Sequence, residues 1–254
     1  MNDAVLVAVD NGVMTVTLNR PKAKNAVNLD VAKGIAAAMD QLDSDPAIRV
    51  AIITGAGGTF CAGMDLKAFV SGELPVIKGR GFAGLCEKRP RKPLIAAVEG
   101  YALAGGFEIA LSCDLIVAAE NSQFGIPEAK RGLAAAAGGL MRLPRQTPLR
   151  VAMELALTGD FMDAPRALNL GLVNQCVSAG AVLGAAKAMA AKIVANAPLS
   201  IESSKQVIYE SADWQDGEMF GKQAEIVDPI FSSKDAIEGA RAFAEKRAPQ
   251  WQGK

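Results

Sequence analysis

Two glutamates occupy positions where a carboxylate could carry acid–base chemistry. Glu108 lies in the stretch GYALAGGFEIA, which has no other charge, directly after Gly105 and Gly106. Glu128 follows a proline in the stretch QFGIPEAKRG. A carboxylate in apolar surroundings is unfavourable unless it is paired, hydrogen-bonded or protonated, so its proton affinity is altered there. Two such carboxylates in one pocket would suit proton transfer to carbon or oxygen.

Both glutamates also have a simpler structural explanation. The sequence predicts a helix that begins near Gly105, and Glu108 in its first turn would complement the helix dipole. A solvated acidic residue at a helix start would explain Glu128 in the same way. The functional alternative is that Gly105, which has no side chain, lets a ligand oxygen approach its N–H while Glu108 lines the same pocket. Spacing along the chain does not decide whether the two glutamates meet.

The composition restricts which other chemistry is available. The chain has 254 residues and no histidine, which excludes a Ser-His-Asp triad, a Cys-His pair and His-ligated metals. Acid–base chemistry therefore falls to carboxylates, Lys, Tyr or Cys. The four cysteines show no C-x-x-C spacing, so we expect neither a metal site nor a disulfide framework. They are Cys61, Cys86, Cys113 and Cys176.

Charge and hydropathy predict a globular protein that binds neither nucleic acid nor membrane. Lys plus Arg number 27, as do Asp plus Glu, so no strongly basic surface is expected. Half of the residues are hydrophobic, which is enough for a substantial core. No apolar run reaches the roughly 18 residues of a membrane span, and no signal peptide is visible. We therefore expect a cytoplasmic protein.

A glycine-rich stretch, GAGGTFCAGMDL at 55–66, follows a predicted strand. It lacks the Gly-Lys-Ser/Thr of a phosphate-binding loop and contains no G-x-G-x-x-G pattern, so a nucleotide hydrolase is not favoured. The simplest interpretation is a tight strand-to-helix turn. The order of features is nevertheless the same as before Glu108: an apolar run ending in Gly, a small-residue loop and an acidic residue that opens a helix. The sequence thus predicts two β-turn-α units with similar loops.

The remaining elements follow from the hydrophobic pattern. Alternating valines from Val5 to a DNG turn, followed by VMTVTLN, predict an N-terminal hairpin. Asn28 precedes a helical pattern that Pro46 stops, and IRVAIITG predicts a buried strand. LIVAAE at 115–120 predicts another strand.

Two longer segments lack a strand pattern. The stretch SGELPVIKGRGFAGLCEKRPRKP, with clusters of Gly, Pro and charge, is interpreted as a mobile lid or a crossover. From about residue 147 onward helical signals dominate, and the last sixty or so residues carry no strand pattern. The sequence therefore predicts an α/β core with a helical appendage.

Four stretches together resemble the enoyl-CoA hydratase/isomerase family, also called the crotonase family. They are FCAGMDLK at 60–67, GYALAGGFEIALSCDLIVAAENSQFGIPEAKRGL at 100–133, NRPKAKNAVN at 19–28 and AIEGARAFAEKRAPQW at 236–251. The resemblance covers nearly the whole chain in the right order. It implies an α/β fold, a spiral of β-β-α units with the acyl-CoA site in residues 1–195. It also implies a helical C-terminal trimerisation region in residues 196–254, within a homotrimer or homohexamer.

The resemblance implies an activity and its catalytic groups. The activity is that of an enoyl-CoA hydratase in fatty-acid or related acyl-CoA metabolism, adding water reversibly and syn to a 2-enoyl-CoA thioester to give 3-hydroxyacyl-CoA. The N–H groups of Met64 and Gly105 would form the oxyanion hole for the thioester oxygen. Glu108 would position and deprotonate the water, and Glu128 would exchange the proton at the α-carbon. No separate cofactor is implied, because coenzyme A is part of the substrate.

A further set of residues is implied to bind CoA. Lys24 would meet a phosphate, and backbone groups around Ala26, Ala62 and Leu66 would hold the adenine. The C-terminal pair Phe243 and Lys246 would reach the CoA of a neighbouring subunit, although an ordinary amphipathic helix end explains that pair equally well. The whole set is Lys24, Ala26, Ala62, Asp65, Leu66, Lys67, Phe243 and Lys246.

Two departures from the family pattern leave the acyl group open. Ala135 and Ala136 replace a usual Pro-Gly in GLAAAAGG at 132–139, a loop that lines the acyl and water site in relatives. Ala104 stands where a third glycine is usual, which we expect to be benign. The stretches GRGFAGLCEK and DAIEGARAFAEKR resemble the carnitinyl-CoA dehydratase branch of the family. Double-bond isomerisation and acyl-CoA binding without turnover are also compatible with the sequence.

Overall fold

The computed structural model describes residues 3–254, which form a mixed α/β fold. The strands are β1 (Val5–Asp10), β2 (Val13–Leu18), β3 (Val50–Gly55), β4 (Val76–Ile77), β5 (Gly81–Phe82), β6 (Leu94–Val98), β7 (Tyr101–Leu103), β8 (Leu115–Ala119), β9 (Gln123–Gly125), β10 (Met162–Asp163) and β11 (Gln175–Val177). The helices are α1 (Leu29–Ser44), α2 (Leu66–Val70), α3 (Gly105–Ser112), α4 (Gly139–Gln146), α5 (Leu149–Thr158), α6 (Ala164–Asn169), α7 (Val182–Val194), α8 (Pro198–Glu210), α9 (Met219–Phe231) and α10 (Lys234–Glu245).

The main sheet has six strands in the order β1-β2-β3-β6-β8-β11. Strands β1 and β2 pair antiparallel, whereas every later neighbour pairs parallel. The predicted hairpin is confirmed: its two-residue turn, Asn11 and Gly12, has φ of 49° and 77°. Both values are left-handed, as the tight turns that match strand twist require. The strands β3, β6 and β8 are almost entirely buried, which explains their continuous apolar sequences.

The predicted first helix is also confirmed. The side chain of Asn28 caps α1 by accepting a hydrogen bond from the Val31 amide at 3.1 Å. Val31, Ile35, Met39 and Leu42 are buried on one face of this helix, where they pack into the main core. The helical period read from the sequence therefore corresponds to a real core face.

A second, three-stranded sheet in the order β10-β9-β7 carries the elements that matter most for a site. Strand β7 leads directly into α3, and β9 leads into a short 3₁₀ helix, Pro127–Arg131. The two strands are parallel neighbours, so the segments that follow them leave the same edge of this sheet. Glu108 and Glu128, far apart in sequence, are thereby brought to one region.

The segment between α2 and β6 is a crossover, as one of the two interpretations predicted. It contains the small antiparallel hairpin β4-β5, and Ala83, Leu85 and Cys86 that follow are buried against the core. Its interpretation as a mobile lid stays a prediction.

The prediction that helices dominate after residue 147 is incomplete. Strand β10 pairs antiparallel with β9, and β11 adds a parallel strand to the edge of the main sheet beside β8. Each has only two or three residues, too few to show a period in sequence, and pairing with an existing strand edge defines them. Residues 196–254 are free of strands, as predicted.

Among residues 3–254, no single helix is long and apolar enough to cross a membrane. Only α7 taken together with 198–213, which meet at a bend of 107°, reaches the required length and composition.

Candidate active site

A cavity of about 580 Å³ lies where the loop before α2, the N-terminus of α3 and the 3₁₀ helix converge. Both candidate glutamates, Glu108 and Glu128, line it. Both candidate oxyanion residues, Met64 and Gly105, line it as well. The question that sequence spacing left open is thus answered, because the two carboxylates share one pocket.

Two glycines let α3 approach its neighbours closely. A Cβ built on Gly106 would lie 2.2 Å from the carbonyl oxygen of Cys61, and one on Gly105 would lie 2.5 Å from Cζ of Phe82. A side chain at Gly106 would require the backbone to shift, whereas one at Gly105 would require the Phe82 ring to move. All eight residues of α3 are buried, so its first turn faces the protein interior.

Glu108 is buried yet well hydrogen-bonded. It is 3% exposed, and its Oε1 accepts hydrogen bonds from the amides of Ala137 at 2.7 Å and Gly139 at 2.8 Å. Burial raises the pKa of this carboxyl, while the two amides and the nearby charge of Arg142 oppose that rise. Glu108 is therefore more than an acid that complements a helix dipole at the surface.

Glu128 has the opposite surroundings. Its Oε2 is buried and makes no hydrogen bond within residues 3–254. Burial raises the pKa of Glu128 to about 7, opposed by its own backbone amide and aided by the negative charge of Glu108. A solvated helix-start residue does not have these properties. Of the two carboxylates, Glu128 is the one whose environment favours the protonated form at neutral pH.

Two of the residues that line this cavity have a backbone amide without a partner in the described chain. The N–H groups of Met64 and Gly105 donate to no acceptor in the described part of the chain. Around Met64, the amide of Asp65 donates to Val27 at 2.9 Å and the carbonyl of Gly63 accepts from Val27 at 2.8 Å, which fixes this loop. A Cβ on Gly63 would lie 3.2 Å from the Gly105 nitrogen, so the two loops adjoin. Such an arrangement suits the stabilisation of an oxyanion.

Three of the eight predicted CoA-binding residues line the cavity, namely Lys24, Ala62 and Leu66. The Nζ of Lys24 lies 5.4 Å from the centre of the Tyr101 ring, a cation–π contact at the cavity wall. Lys24 is exposed and lines the cavity, so it supplies a positive charge that would suit a phosphate.

The other five do not line this cavity. Asp65 caps α2 and pairs with Arg20 at 2.8 Å, and the carbonyl of Ala26 accepts from the same Arg20 at 2.6 Å. Lys67 is exposed on α2. In the C-terminal region, Phe243 is 88% exposed on α10 and Lys246 follows that helix. Roles for these five in holding CoA stay predictions.

Several residues that line the cavity were not predicted from the sequence. The aromatic and charged ones are Phe82, Glu87, Tyr101, Arg131 and Phe161. Phe82 and Glu87 lie in the stretch GRGFAGLCEK, which resembles the carnitinyl-CoA dehydratase branch but carries no residue predicted to line the site. Nothing in the sequence alone marks Tyr101 or Phe161 as pocket residues, because the β7–β9–β10 sheet that places them is a tertiary feature.

The two departures from the family pattern have different outcomes. Ala136 lines the cavity and Ala135 is buried beside it, so this loop does shape the pocket as expected. The expectation that Ala104 is benign is wrong. Its φ of 51° and ψ of −129° lie in a region that favours glycine, so the residue directly before Gly105 is strained.

Within residues 3–254, no group of three His, Cys, Asp or Glu side chains is arranged to hold a metal ion. The cysteines Cys61, Cys86 and Cys113 are buried and Cys176 is half-buried, all as free thiols. Burial raises the pKa of Cys61 and of Cys86 to about 12, so neither is a thiolate at neutral pH.

Comparison with known proteins gives one consistent result. The family model for "Enoyl-CoA hydratase/isomerase" matches residues 8–254. A carnitinyl-CoA dehydratase of Salmonella typhi is 40% identical over 262 residues, covering 100% of both chains. The crystal structure of an enoyl-CoA hydratase from Mycobacterium tuberculosis H37Rv is 58% identical, with a TM-score of 0.98 over 99% of this chain and 100% of that one. A carnitinyl-CoA hydratase structure from Mycobacterium avium is 44% identical, with a TM-score of 0.80 over 99% of each chain.

Proposed function

The chain belongs to the enoyl-CoA hydratase/isomerase family and has its fold, and on this premise we propose that it hydrates 2-enoyl-CoA thioesters. One observation carries the proposal: a single cavity holds two carboxylates in unlike environments and two unpartnered amides. Members of the family that hydrate a double bond use two glutamates, and both positions are occupied here by Glu108 and Glu128. An acyl-CoA that is merely bound requires neither carboxylate.

Each group has a defined task in the proposed reaction. The amides of Met64 and Gly105 donate to the thioester oxygen and stabilise the negative charge that develops there. Glu108, held by two amides, accepts a proton from water as the water oxygen bonds to C3. Glu128, protonated near neutral pH, gives its proton to C2. For the syn addition that the family resemblance implies, the water and the proton would both be delivered to the same face of the double bond.

The test follows the absorbance of the conjugated enoyl thioester. We expect crotonyl-CoA to lose this absorbance with the wild-type protein. Glu128→Gln should lower the rate by about 10²-fold or more, as expected for a missing general acid. The variant should still be stabilised against unfolding by a CoA ester, because binding does not need the proton. Glu154→Gln, an exposed glutamate on α5, is the matched control and should retain full rate.

The absence of hydration for every acyl chain length, short and long, would contradict the proposal. An isomerase would instead create the conjugated absorbance from a 3-enoyl-CoA. A binding protein would do neither, yet CoA esters would stabilise it.

A second candidate is the hydration or dehydration of an acyl group that carries a positive charge. Two observations favour it: the name of the relative from Salmonella typhi, and Glu87. The Glu87 carboxylate lines the same cavity and makes no hydrogen bond or ion pair with the described residues. It would therefore be free to pair with a quaternary ammonium such as that of a carnitinyl group.

Glu87→Gln separates the two candidates. If the substrate is cationic, this variant should lower kcat/KM for the trimethylammonium-bearing enoyl-CoA by about fivefold, the effect of one ion pair of about 1 kcal/mol. Turnover of crotonyl-CoA should not change. Equal effects on both substrates, or none, would leave the neutral enoyl-CoA as the proposed substrate.

We further propose that copies of the chain associate through α8, α9 and α10, as a homotrimer or homohexamer. Large apolar side chains on these helices are exposed, including Phe220 at 83%, Phe231 at 76% and Phe243 at 88%. Such side chains are normally covered in an assembly. Sedimentation of the wild-type protein and of Phe231→Asp tests this, because the variant should dissociate. A wild-type protein that sediments as a monomer would refute it.

The division at residue 195, the cytoplasmic location and the absence of nucleic-acid or membrane binding stay predictions.

A further inference from the structure

We propose that Arg142 is a positioning residue for Glu108, acting through the loop at 137–139; the proposal rests on the proposed function of Glu108. Arg142 lies on α4 and does not line the cavity, so it does not touch the substrate. Its Nη1 donates to the carbonyl of Ala137 at 3.3 Å, and its Nη2 donates to the carbonyl of Cys86 at 2.5 Å. The guanidinium thus ties the loop to the crossover segment.

The bonded carbonyl lies between the two amides that hold Glu108. The amides of Ala137 and Gly139 both donate to Oε1 of Glu108, and the carbonyl of Ala137 separates them along the chain. When Arg142 fixes that carbonyl, the two N–H groups keep their direction toward the carboxylate. Gly139 is also close, since a Cβ there would lie 3.1 Å from Oε1.

The loop is shaped to admit the guanidinium. Gly138 has φ of 107°, a left-handed value, and a Cβ on it would lie 2.2 Å from Nη1 of Arg142. A side chain at this position would therefore displace the guanidinium. The position of the Arg142 guanidinium therefore requires a glycine at 138.

Arg142 is half-buried, and no carboxylate lies within ion-pair distance of it in the described chain. Its charge lowers the pKa of Glu108 from a position outside the cavity. The other titratable groups that interact with Glu108 are Glu128 from the 3₁₀ helix and Cys86 from the crossover. Cys86 stays neutral at ordinary pH, so Arg142 is the positive charge that opposes the burial of Glu108.

The kinetic test uses Arg142→Gln and Arg142→Lys, with Arg145→Gln as the control. Arg145 lies on the same helix and is exposed, and its side chain makes no hydrogen bond or ion pair with the described residues. We expect Arg142→Gln to lower kcat by about 10- to 100-fold, the cost of a misplaced catalytic group, while KM changes by less than about twofold. The acid limb of the pH–rate profile should move to higher pH, because Glu108 loses a stabilising charge. Arg142→Lys keeps the charge but lacks the forked guanidinium whose two nitrogens bind the two carbonyls, so it should restore part of the rate.

Two outcomes would overturn the proposal. One is an Arg142→Gln variant whose kcat and acid limb equal those of the Arg145→Gln control. The other is a rise in KM with no change in kcat, which would place Arg142 in substrate binding.

A second measurement is independent of turnover. Carbon-13 labelling of glutamate carboxyl groups allows NMR titration of the free protein, and Glu108→Gln identifies the Glu108 signal by its loss. The Glu108 titration should shift to higher pH in Arg142→Gln and stay unchanged in Arg145→Gln. If the shift occurs in a protein that hydrates no enoyl-CoA, the positioning by Arg142 stands and the proposed function fails. If no shift occurs, the role of Arg142 is refuted whatever the activity.

Discussion

The molecule contains two loops of similar sequence pattern, and the acidic residue that follows each has a pKa shifted in the opposite direction because the surroundings differ. The first loop, residues 56–65, follows β3. The second is the connection 99–105 after β6, which contains the short strand β7 and ends at Gly105, the first residue of α3. An isolated parallel β-bridge between Cys61 and Ala102 joins them. Each brings one unpartnered amide to the cavity, and each is followed by a helix with an acidic residue at or near its start.

The pKa values of the two acidic residues, Asp65 and Glu108, are shifted in opposite directions. Asp65 is the N-cap of α2, a five-residue helix with no buried residue. Partial burial raises the pKa of Asp65, but the hydrogen bond and charge of Arg20, together with the amides of Ala68 and Lys67, outweigh this and lower it. Glu108 lies inside the first turn of a buried helix, and its pKa is raised. The same pattern in sequence therefore yields a structural cap in one loop and a buried carboxylate with a raised pKa in the other.

The largest expected effect separates Glu108→Gln from Asp65→Asn. We expect Glu108→Gln to lower the hydration rate by about 10²- to 10⁴-fold, because the amide cannot accept the proton of water. Asp65→Asn keeps an N-capping side chain and should change kcat by less than about threefold. Steady-state kinetics with crotonyl-CoA measures both. Similar losses in the two variants would mean that the two loops do not differ in the way described.

The next effect concerns how closely α3 is packed. Gly106→Ala would bring a Cβ to 2.2 Å from the Cys61 carbonyl oxygen of the first loop, so the backbone must shift. The cost should be about 3 kcal/mol of unfolding free energy, at the upper end for overpacking. The control is Gly184→Ala on α7, where a Cβ meets nothing within 4 Å and should stabilise the helix by about 0.5–1 kcal/mol. Urea unfolding measures both, and a tolerated Gly106→Ala would contradict the close contact.

A further effect distinguishes the two carboxyls by pH. The folded pKa of Glu128, about 7, exceeds its ordinary value of 4.5, so the folded state holds the proton more tightly. Wild-type stability should then fall relative to Glu128→Gln as pH rises between these values and level off above about 7. The pKa of Asp65 is depressed below 3.8, so the advantage of the wild type over Asp65→Asn is present above that pH. It should disappear as pH falls through the folded pKa.

Urea unfolding of the wild type and both variants, measured from below pH 3.8 to above pH 7, gives the difference in unfolding free energy between each variant and the wild type. The curves should slope in opposite senses: as pH rises, Glu128→Gln gains stability relative to the wild type, whereas Asp65→Asn loses it. A Glu128→Gln curve that is flat between 4.5 and 7 would show that the carboxyl is not perturbed.

Much of the arrangement follows from local sequence. The hairpin, the first helix with its Asn28 cap and the helix beginning at Gly105 were all predicted, because each rests on a turn, a cap or a hydrophobic period. The pairing of Glu108 with the 137–139 loop was not, since hydrogen bonds between side chain and distant backbone leave no local pattern. The strand β11 and the cavity wall around Tyr101 likewise depend on tertiary contacts.

The family resemblance supplied what spacing could not. It placed Met64, Gly105, Glu108 and Glu128 in one site, and all four do line the same cavity. It was less useful for Ala104, because a missing glycine looks harmless until the backbone angles of that residue are known. Sequence reasoning is therefore weakest where function depends on a single backbone conformation.

The smallest predicted effect tests that backbone directly. Each loop has a residue with positive φ before its unpartnered amide: Gly63 at 102° in the first and Ala104 at 51° in the second. Ala104→Gly should raise the unfolding free energy by about 1 kcal/mol, since relief of backbone strain exceeds the added flexibility of the unfolded chain. Gly63→Ala should lower it, because φ is unfavourable and the new Cβ lies 2.8 Å from that of Ala104.

The double variant sharpens this last comparison. Ala104→Gly removes the atom nearest to the new Cβ of Gly63→Ala, so the two changes should be coupled. We expect the double variant to be more stable than the sum of the single effects by about 0.5 kcal/mol or more, as for residues in contact. Urea unfolding of the four proteins measures this coupling. Strict additivity would mean that Gly63 and Ala104, which precede the two unpartnered amides, are not in steric contact. The strain at Ala104 would then come from the second loop alone.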